Sequence, residues 1–395
     1  MVLTILSCNE KKRAVQVHEI PAVDFPYKFS VDLAQEYKYD SLFQQGQIAG
    51  TRYSFIGNEE LVAQNFYHNL PDREALGDSV YTVFTKSHVA VNAFEYILER
   101  AKEEQMLILN EAHHKPKHRV FTRQLLQELF NNGFRYFGAE ALNELDIIDL
   151  NYRRYPIYFS GFYTDEPQFG ELVRDALSIG YEVFAYEGEG NGKSREINQA
   201  KNIAEFLKNK PNAKTLIHCG YQHAQEGTIN SSWEKAMAGR VLEYTGINPL
   251  TVNQTWYDNK YYSKHLTPLQ KRIDISEPSV FVDSSGFSYL GASDTSGFDI
   301  VVFHEQSEYI NGRPTWLLGK NKEWVEVDLN PSGLDYPYFL FAFKTGENIT
   351  EAIPVDLLEI TDSLQTAHFA LSKGKYEIVA QSITKKAASF NLEVE

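Results

Sequence analysis

The chain is 395 residues long and acidic, with 53 Asp and Glu against 38 Lys and Arg and a formal net charge of -15. That balance excludes attachment to nucleic acid or to an anionic membrane through a basic surface, and the two cysteines, Cys8 and Cys219, are too few for a disulfide scaffold. A hydrophobic fraction of 43% with 13% aromatic residues predicts packed cores rather than disorder, and the length suits two domains or slightly more.

Val2, Leu3, Ile5 and Leu6 form a short apolar run that ends in Ser7 and Cys8, and residues 9–13 are polar. This has the form of a bacterial lipoprotein signal, whose cysteine becomes the lipidated mature N-terminus. Residues 1–13 are therefore expected to be signal and linker, with the protein anchored at Cys8 in the cell envelope; without that signal the expectation is a cytoplasmic protein. The run is too short to cross a membrane and lacks the positive flank expected before it, which a start site placed too late would explain. No later segment is apolar enough for a transmembrane helix. Residues 14–87 are aromatic and irregular, and Phe43, Tyr53, Phe55, Phe66 and Tyr67 are expected to pack over the main domain as a flank or lid. Between Val89 and Lys102, the spacing of Val91, Phe94, Ile97, Leu98 and Ala101 predicts a helix.

The next stretch organises the chain. An apolar run from Met106 to Leu109 stops at Asn110, Glu111, Ala112, His113 and His114. After His118, apolar residues recur at helical spacing in Val120, Phe121, Leu125, Leu126, Leu129 and Phe130. Asn131, Asn132 and Gly133 suit a helix end, and residues 134–139 predict a second buried strand running into Glu140. The pattern is one βαβ unit with ionisable groups at both strand ends. In open α/β sheets ligands bind beyond the carboxyl ends of the strands, so Glu111, His113, His114, His118 and Glu140 are expected at one mouth. Two carboxylates and three imidazoles clustered without a purpose would repel and desolvate one another, which favours a functional site.

Glu-x-His, a Pro three residues on and a second His two beyond it, followed by an apolar helix and a strand ending in Glu, resembles the ChaN-like haem-binding uptake family. That family belongs with the Tiki proteins and, more distantly, the erythromycin esterases. The positions are Glu111, His113, Pro116, His118 and Glu140; Asn110 stands where the family has Gly, and His114 where an acidic residue is common. Glu111 and His114 also match the Glu-x-x-His of the esterases.

Downstream, residues 143–158 form a long connection, expected to be functional or locally helical. A helix is predicted from Phe169 to Ile179, closed by Gly180, and a strand from Tyr181 to Tyr186. The turn Glu187-Gly188-Glu189-Gly190 is too acidic for a phosphate cradle and is read as presenting Glu187 to the mouth. A helix from Ser194 to Leu207 follows; its Arg195, Glu196, Ala200 and Asn202 resemble the helix that lends a charged face to the pocket in the same families. The strand from Lys214 to Ile217 leads to Gly220-Tyr221-Gln222-His223-Ala224, similar to the family's second hallmark, which implies that His223 faces the first Glu-x-His. His218, inside the strand, reads as a satisfied core residue. A helix from Trp233 to Leu242 and a strand from Pro249 to Asn253 complete a fifth repeat, and Phe298 to Phe303 predicts a further strand ending in His304 and Glu305.

The alternation predicts an α/β fold, a mostly parallel sheet with helices on both faces spanning residues 88–319. Past Trp316, short alternating segments separated by Asn-Pro, Ser-Gly and Lys-Gly-Lys turns predict a small C-terminal β-sandwich over residues 320–395.

Two chemistries suit the mouth. Glu111, His113, His118 and His223 are residue types that hold a divalent metal such as Mn or Zn with a position left for water. Without metal, Glu111, His113, His114, Glu140, His223 and Arg195 supply a carboxylate-oriented imidazole that takes a proton from water attacking an ester or amide. Both lead to a hydrolase acting on a small-molecule or peptide substrate. The resemblance implies a third outcome, binding of haem or another iron compound without catalysis, which needs an apolar surface and an axial ligand.

Overall fold

The computed structural model describes residues 17–37, 43–67, 72–210, 212–229, 232–258, 260–291, 297–327 and 333–395; Cys8 and its signal reading lie outside them. In chain order, strand β1 (His18–Ile20) precedes helices α1 (Ser30–Glu36), α2 (Phe43–Phe55), α3 (Glu59–Phe66) and α4 (Asp78–Ser87). Next come β2 (Val89–Asn92), α5 (Ala93–Ala101), β3 (Met106–Glu111), α6 (Pro116–Asn131), β4 (Phe134–Ala139), α7 (Ile147–Arg153), α8 (Pro167–Ile179) and β5 (Glu182–Ala185). They are followed by α9 (Gly192–Leu207), β6 (Lys214–Gly220), α10 (Met237–Thr245), β7 (Leu250–Tyr257), β8 (Ser279–Val282) and β9 (Ile300–Phe303). A short hairpin, β10 (Tyr309–Ile310) and β11 (Arg313–Pro314), leads to β12 (Glu323–Val327), β13 (Tyr338–Lys344), β14 (Asp356–Ile360), β15 (Ala367–Leu371), β16 (Gly374–Ser382) and β17 (Ala387–Val394).

Strands β2 to β9 form an eight-stranded sheet in the order β2-β8-β9-β7-β3-β6-β4-β5. From β9 to β5 every pairing is parallel, and β8 joins the sheet antiparallel to β9 and β2. Both faces are covered, as apolar residues on both sides of a strand require. On β3, Leu107 and Leu109 enter the core under α5, α6 and α8, while Met106 and Ile108 enter the core under α9 and α10. The crossover helices have identifiable ends. Pro116 opens α6, where its missing N–H costs nothing; the Glu166 carboxylate accepts from the Gln168 and Phe169 amides at the start of α8, and Gly180 closes that helix at φ +118. The parallel register sets Glu111 opposite Gly220 and Ala139 opposite His218, so Glu140, one residue on, reaches the same edge.

Near the C-terminus, β1, β17, β16, β13 and β14 form a five-stranded antiparallel sheet, and β12 pairs with β15. One face of the larger sheet packs with the β12–β15 ladder through Leu340, Ile378, Val327 and Phe369. The other face, with Phe339, Phe341 and Phe343, packs against Phe25, Tyr27, Leu33 and Tyr53 from the N-terminal segment. The aromatic flank thus covers the C-terminal sheet as well as touching the main domain. A buried ion cluster ties the two parts: Glu171 of α8 lies 3.3 Å from Lys322 and within 4 Å of Arg123, Arg174 and Lys344, and Arg174 bonds Glu347. One expected helix splits in two. Val89 to Asn92 pair with β8 as a strand, and the Asn92 side chain then caps α5; β-branched Val89 and Val91 suit a strand, whereas apolar spacing alone merged them with the helix.

Candidate active site

Glu111 ends β3 almost wholly buried, with both carboxylate oxygens bonded. Its Oε2 accepts from Arg119 Nε at 2.6 Å, its Oε1 from Arg119 Nη2 at 2.8 Å, and His218 Nε2 lies 3.0 Å from Oε2. Burial pushes its carboxyl up, but the bidentate guanidinium and the bonds from His113 and His218 hold it well below the usual range, so it is ionised. The same Oε1 lies 2.9 Å from His113 Nδ1. An ionised carboxylate can only accept there, so the proton of neutral His113 sits on Nδ1 and Nε2 is left as a base. Tyr163 stacks on the imidazole at 3.9 Å, and Tyr221 meets it edge-on at 5.2 Å.

Arg119 is fully buried under this pair. Besides Glu111 it donates to the His113 carbonyl and to Glu166, each at 2.9 Å, and its guanidinium lies over the Phe169 ring. A cation in the first turn of α6 opposes the helix dipole, so two carboxylates and a carbonyl offset it.

His223 sits in a 3-10 turn after β6 and repeats the arrangement. Its Nδ1 bonds Glu196 Oε2 at 2.9 Å, and the same oxygen accepts from the Met237 amide at the start of α10. The ring stacks on Trp233, and Nε2 lies 3.3 Å from Glu140 Oε1 and 3.2 Å from Arg195 Nη1. Burial disfavours the imidazolium, but Glu140 and Glu196 outweigh it and raise the pKa above the ordinary value.

Glu140 joins the two halves. Its Oε2 accepts from the Gly220 amide at 2.6 Å, and its Oε1 accepts from Arg195. Burial raises its carboxyl, but His223, His113 and Arg195 bring it below the ordinary value. Arg195 is clamped further by both oxygens of Glu187, at 2.9 and 2.6 Å. Gly220 is required by space: a Cβ there would stand 2.4 and 2.5 Å from two His113 ring atoms.

The structure therefore brings Glu111, His113, Glu140, Arg195 and His223 together, with Glu187 at the rim. It does not bring the other two histidines. His114 turns behind the mouth, with Nε2 2.6 Å from the Tyr67 hydroxyl, Nδ1 3.1 Å from that of Tyr221 and its ring stacked on Phe66. Burial lowers its pKa well below the ordinary value. His118 points beneath the loop: Nδ1 accepts from the Ala112 amide, and Nε2 faces Asp258 at 3.2 Å. Both histidines pin the loop that presents His113 and are corrected from the catalytic and ligand sets. His218 is indeed buried, yet it also bonds Glu111. Sequence reasoning missed Arg119, Glu166 and Tyr163, and it named Gly220 only as part of the second hallmark. The one available signal for Arg119 was the run Lys115, Lys117, His118 and Arg119 around a helix start, where basic residues need compensating acids.

The donor set does not fit a divalent metal. Both Glu111 oxygens are engaged by a guanidinium that would repel a cation, His118 faces Asp258, and among the described residues no group of three or more His, Cys, Asp or Glu has metal-holding geometry. Haem fits no better: it needs a broad apolar face beside its axial ligand, and the His113 and His223 rings stand instead among Glu111, Glu140, Glu196 and Arg195.

No protein-family model matches the sequence, and no curated protein matches it. Similar solved structures are bacterial toxins and effectors. The type III effector HopBA1 is 10% identical, with 54% of this chain and 93% of that chain covered and a TM-score of 0.33. RRSP, a MARTX toxin effector domain from Vibrio vulnificus CMCP6, is 15% identical over 57% of this chain and 45% of that one, with a TM-score of 0.31. A chain described as bacterial protein toxins, 14% identical with a TM-score of 0.33, is likewise covered over only 45% of its length. With TM-scores near 0.3, nothing about the activity of this chain follows from them.

Proposed function

We propose that the protein is a hydrolase that cleaves an ester or amide by acid-base chemistry between two carboxylate-oriented imidazoles, without metal. The observation that carries this reading is the pair of carboxylate-oriented imidazoles, Glu111–His113 and Glu196–His223, at one mouth: His223 lies 3.3 Å from Glu140, and the His113 ring packs against Gly220, whose amide donates to the same Glu140. His113, with its proton held on Nδ1, takes a proton from water at Nε2. The attacked carbonyl oxygen gains negative charge, and the N–H groups of Arg195 and the protonated His223 lie where they can stabilise it. His223 then protonates the leaving group, and Glu140 keeps the two cationic groups aligned. Arg119 and Glu166 touch no reacting atom; they fix Glu111 and so the tautomer of His113.

The resemblance of Glu111, His113, Glu140 and His223 to the ChaN, Tiki and erythromycin esterase group supports the same chemistry. Within that reading the parallel sheet corresponds to the shared fold, and the C-terminal strands form a small sandwich that serves packing, substrate shaping or attachment. Location in the cell envelope through Cys8 belongs to the same proposal, and a Cys8→Ala protein should then leave the membrane fraction.

The test uses p-nitrophenyl esters and peptide p-nitroanilides as substrates. His113→Ala and His223→Ala should each lower turnover by roughly 10²- to 10⁴-fold while melting within a few degrees of wild type. Activity should survive dialysis against EDTA. Turnover unchanged in folded His113→Ala protein defeats the mechanism, and loss on EDTA treatment with recovery on adding Zn or Mn defeats its metal-free form.

A further inference from the structure

Tyr163 stacks on the imidazole that serves as base, yet the two dyads leave its hydroxyl unused. The segment that carries it is fixed on both sides. Gly161 abuts the strand end that bears Glu140, where a Cβ would stand 1.9 Å from the Ala141 carbonyl oxygen, and Glu166 bonds Arg119 at 2.9 Å. The Asp165 carbonyl also accepts from Tyr27 Oη at 2.7 Å. Between these anchors the half-buried Tyr163 ring lies 3.9 Å from that of His113, with 16° between the planes. The phenol oxygen therefore travels with the ring that covers the base.

A tyrosine hydroxyl withdrawn from solvent usually finds a partner. That of Tyr163 has none among the described residues, and its oxygen, unlike that of Tyr158, is not sealed from solvent. On the Nδ1 side of His113 stands Glu111, whose oxygens are taken by Arg119, His113 and His218 and accept nothing from Tyr163. On the Nε2 side lies Gly220, and beyond it Glu140, which accepts the Gly220 amide. The phenol feels Glu140 more strongly than Glu111, in keeping with a hydroxyl on this second side. Burial and then these carboxylates push its pKa up to about 12, so it is a protonated donor at neutral pH. A donor held by a packed ring beside the base, with no acceptor from the protein, suits an acceptor that arrives with the substrate.

We infer that Tyr163 is a further catalytic residue, whose hydroxyl donates to the substrate oxygen that becomes negative when water adds. The assignment rests on the hydrolytic reading given above. As the water oxygen bonds to the carbonyl carbon, one water proton passes to His113 Nε2 and the C=O π pair moves onto oxygen, which accepts from Tyr163 Oη. When the C=O re-forms, the bond to the leaving group breaks, and that group departs with the electron pair and the His223 proton. The phenol keeps its own proton throughout.

Tyr163→Phe keeps the stacked ring and removes only the donor. On a p-nitrophenyl ester it should lower kcat by about 10²- to 10³-fold, as loss of one oxyanion donor does, with KM within about twofold. Its melting temperature and both limbs of its pH profile should match wild type. A phosphonate monoester, whose anionic oxygens stand in for the charged intermediate, should bind the variant more weakly by a comparable factor. Turnover by Tyr163→Phe within about threefold of wild type, beside a large loss in Tyr163→Leu, would mean that the ring only positions His113, and it overturns the assignment. A loss confined to KM overturns it too, since the hydroxyl would then bind substrate and transition state alike. A wild-type protein inert towards esters and anilides removes the hydrolase reading and this assignment with it, whereas an active wild type beside a fully active Tyr163→Phe removes this assignment alone.

Discussion

Replacing Gly220 by Ala isolates one geometric claim. Its backbone, at φ -80 and ψ 141, is comfortable for alanine, so the added methyl strains nothing but space. That methyl would lie 2.4 Å from His113 Cε1 and 2.5 Å from Nε2. Carbon contacts become favourable only near 3.5 Å, so the ring must retreat by about 1 Å. It cannot do so freely: Glu111 holds Nδ1 at 2.9 Å and Tyr163 stacks on the ring at 3.9 Å. A displacement of that size in a reacting group costs about 10²-fold in rate, or ~3 kcal/mol of transition-state stabilisation. The assay is kcat/KM on a p-nitrophenyl ester beside a thermal melt, with the melt shifted by only a few degrees. In a double-mutant cycle, Gly220→Ala should add little to the loss already caused by His113→Ala, since the crowded ring is gone. Activity within threefold of wild type in a folded Gly220→Ala protein, or fully additive losses in the double variant, would refute the reasoning.

Arg119→Met removes the cation from two buried carboxylates and should cost about 3–5 kcal/mol at pH 7. Without Arg119, burial raises the Glu111 pKa above its unfolded value, so the variant loses stability as pH rises; urea melts should show a larger deficit at pH 7 than at pH 5. His223 has a raised folded pKa, so its contribution to stability is complete below about 6.5 and disappears as pH rises through the folded value. The melting gap between wild type and His223→Gln should accordingly narrow from pH 6 to pH 9, and a constant gap contradicts the assignment. Glu171→Ala leaves Arg123, Arg174 and Lys322 facing one another in a buried interface. Limited proteolysis should then cut more readily between β11 and β12, and an unchanged digestion pattern would show that apolar packing alone holds that junction.

The site was legible where chemistry sits at the end of a pattern. Glu111, Glu140 and His223 each follow an apolar strand run, and parallel strands with helical crossovers leave such ends on one edge. What could not be read was direction within the loop after β3. His113, His114 and His118 are close in sequence, but side-chain direction there depends on the turn and on partners distant in the chain, such as Asp258 for His118. Arg119 was not singled out, because nothing in its local sequence shows that the first turn of α6 lies under two carboxylates. The helix merged from β2 and α5 shows the same limit, since a four-residue strand is too short to establish its own period. The flank from residue 14 onward revealed its aromatic character but not which sheet it would cover.

The pairing of β1 with β17 has a consequence for synthesis. His18 meets Ser389, so 389 − 18 = 371 further residues must be made before β1 finds its partner. At 5–20 residues per second that wait is roughly 20–75 s. Throughout it, Phe25, Tyr27, Leu33 and Tyr53 lack the sheet face that buries them in the finished protein. The α/β segment can assemble from neighbouring βα units as it emerges, whereas these aromatics depend on β13 and β16, made much later. The early part of the chain is thus where a nascent-chain chaperone would be engaged longest, and where a truncated translation product would aggregate.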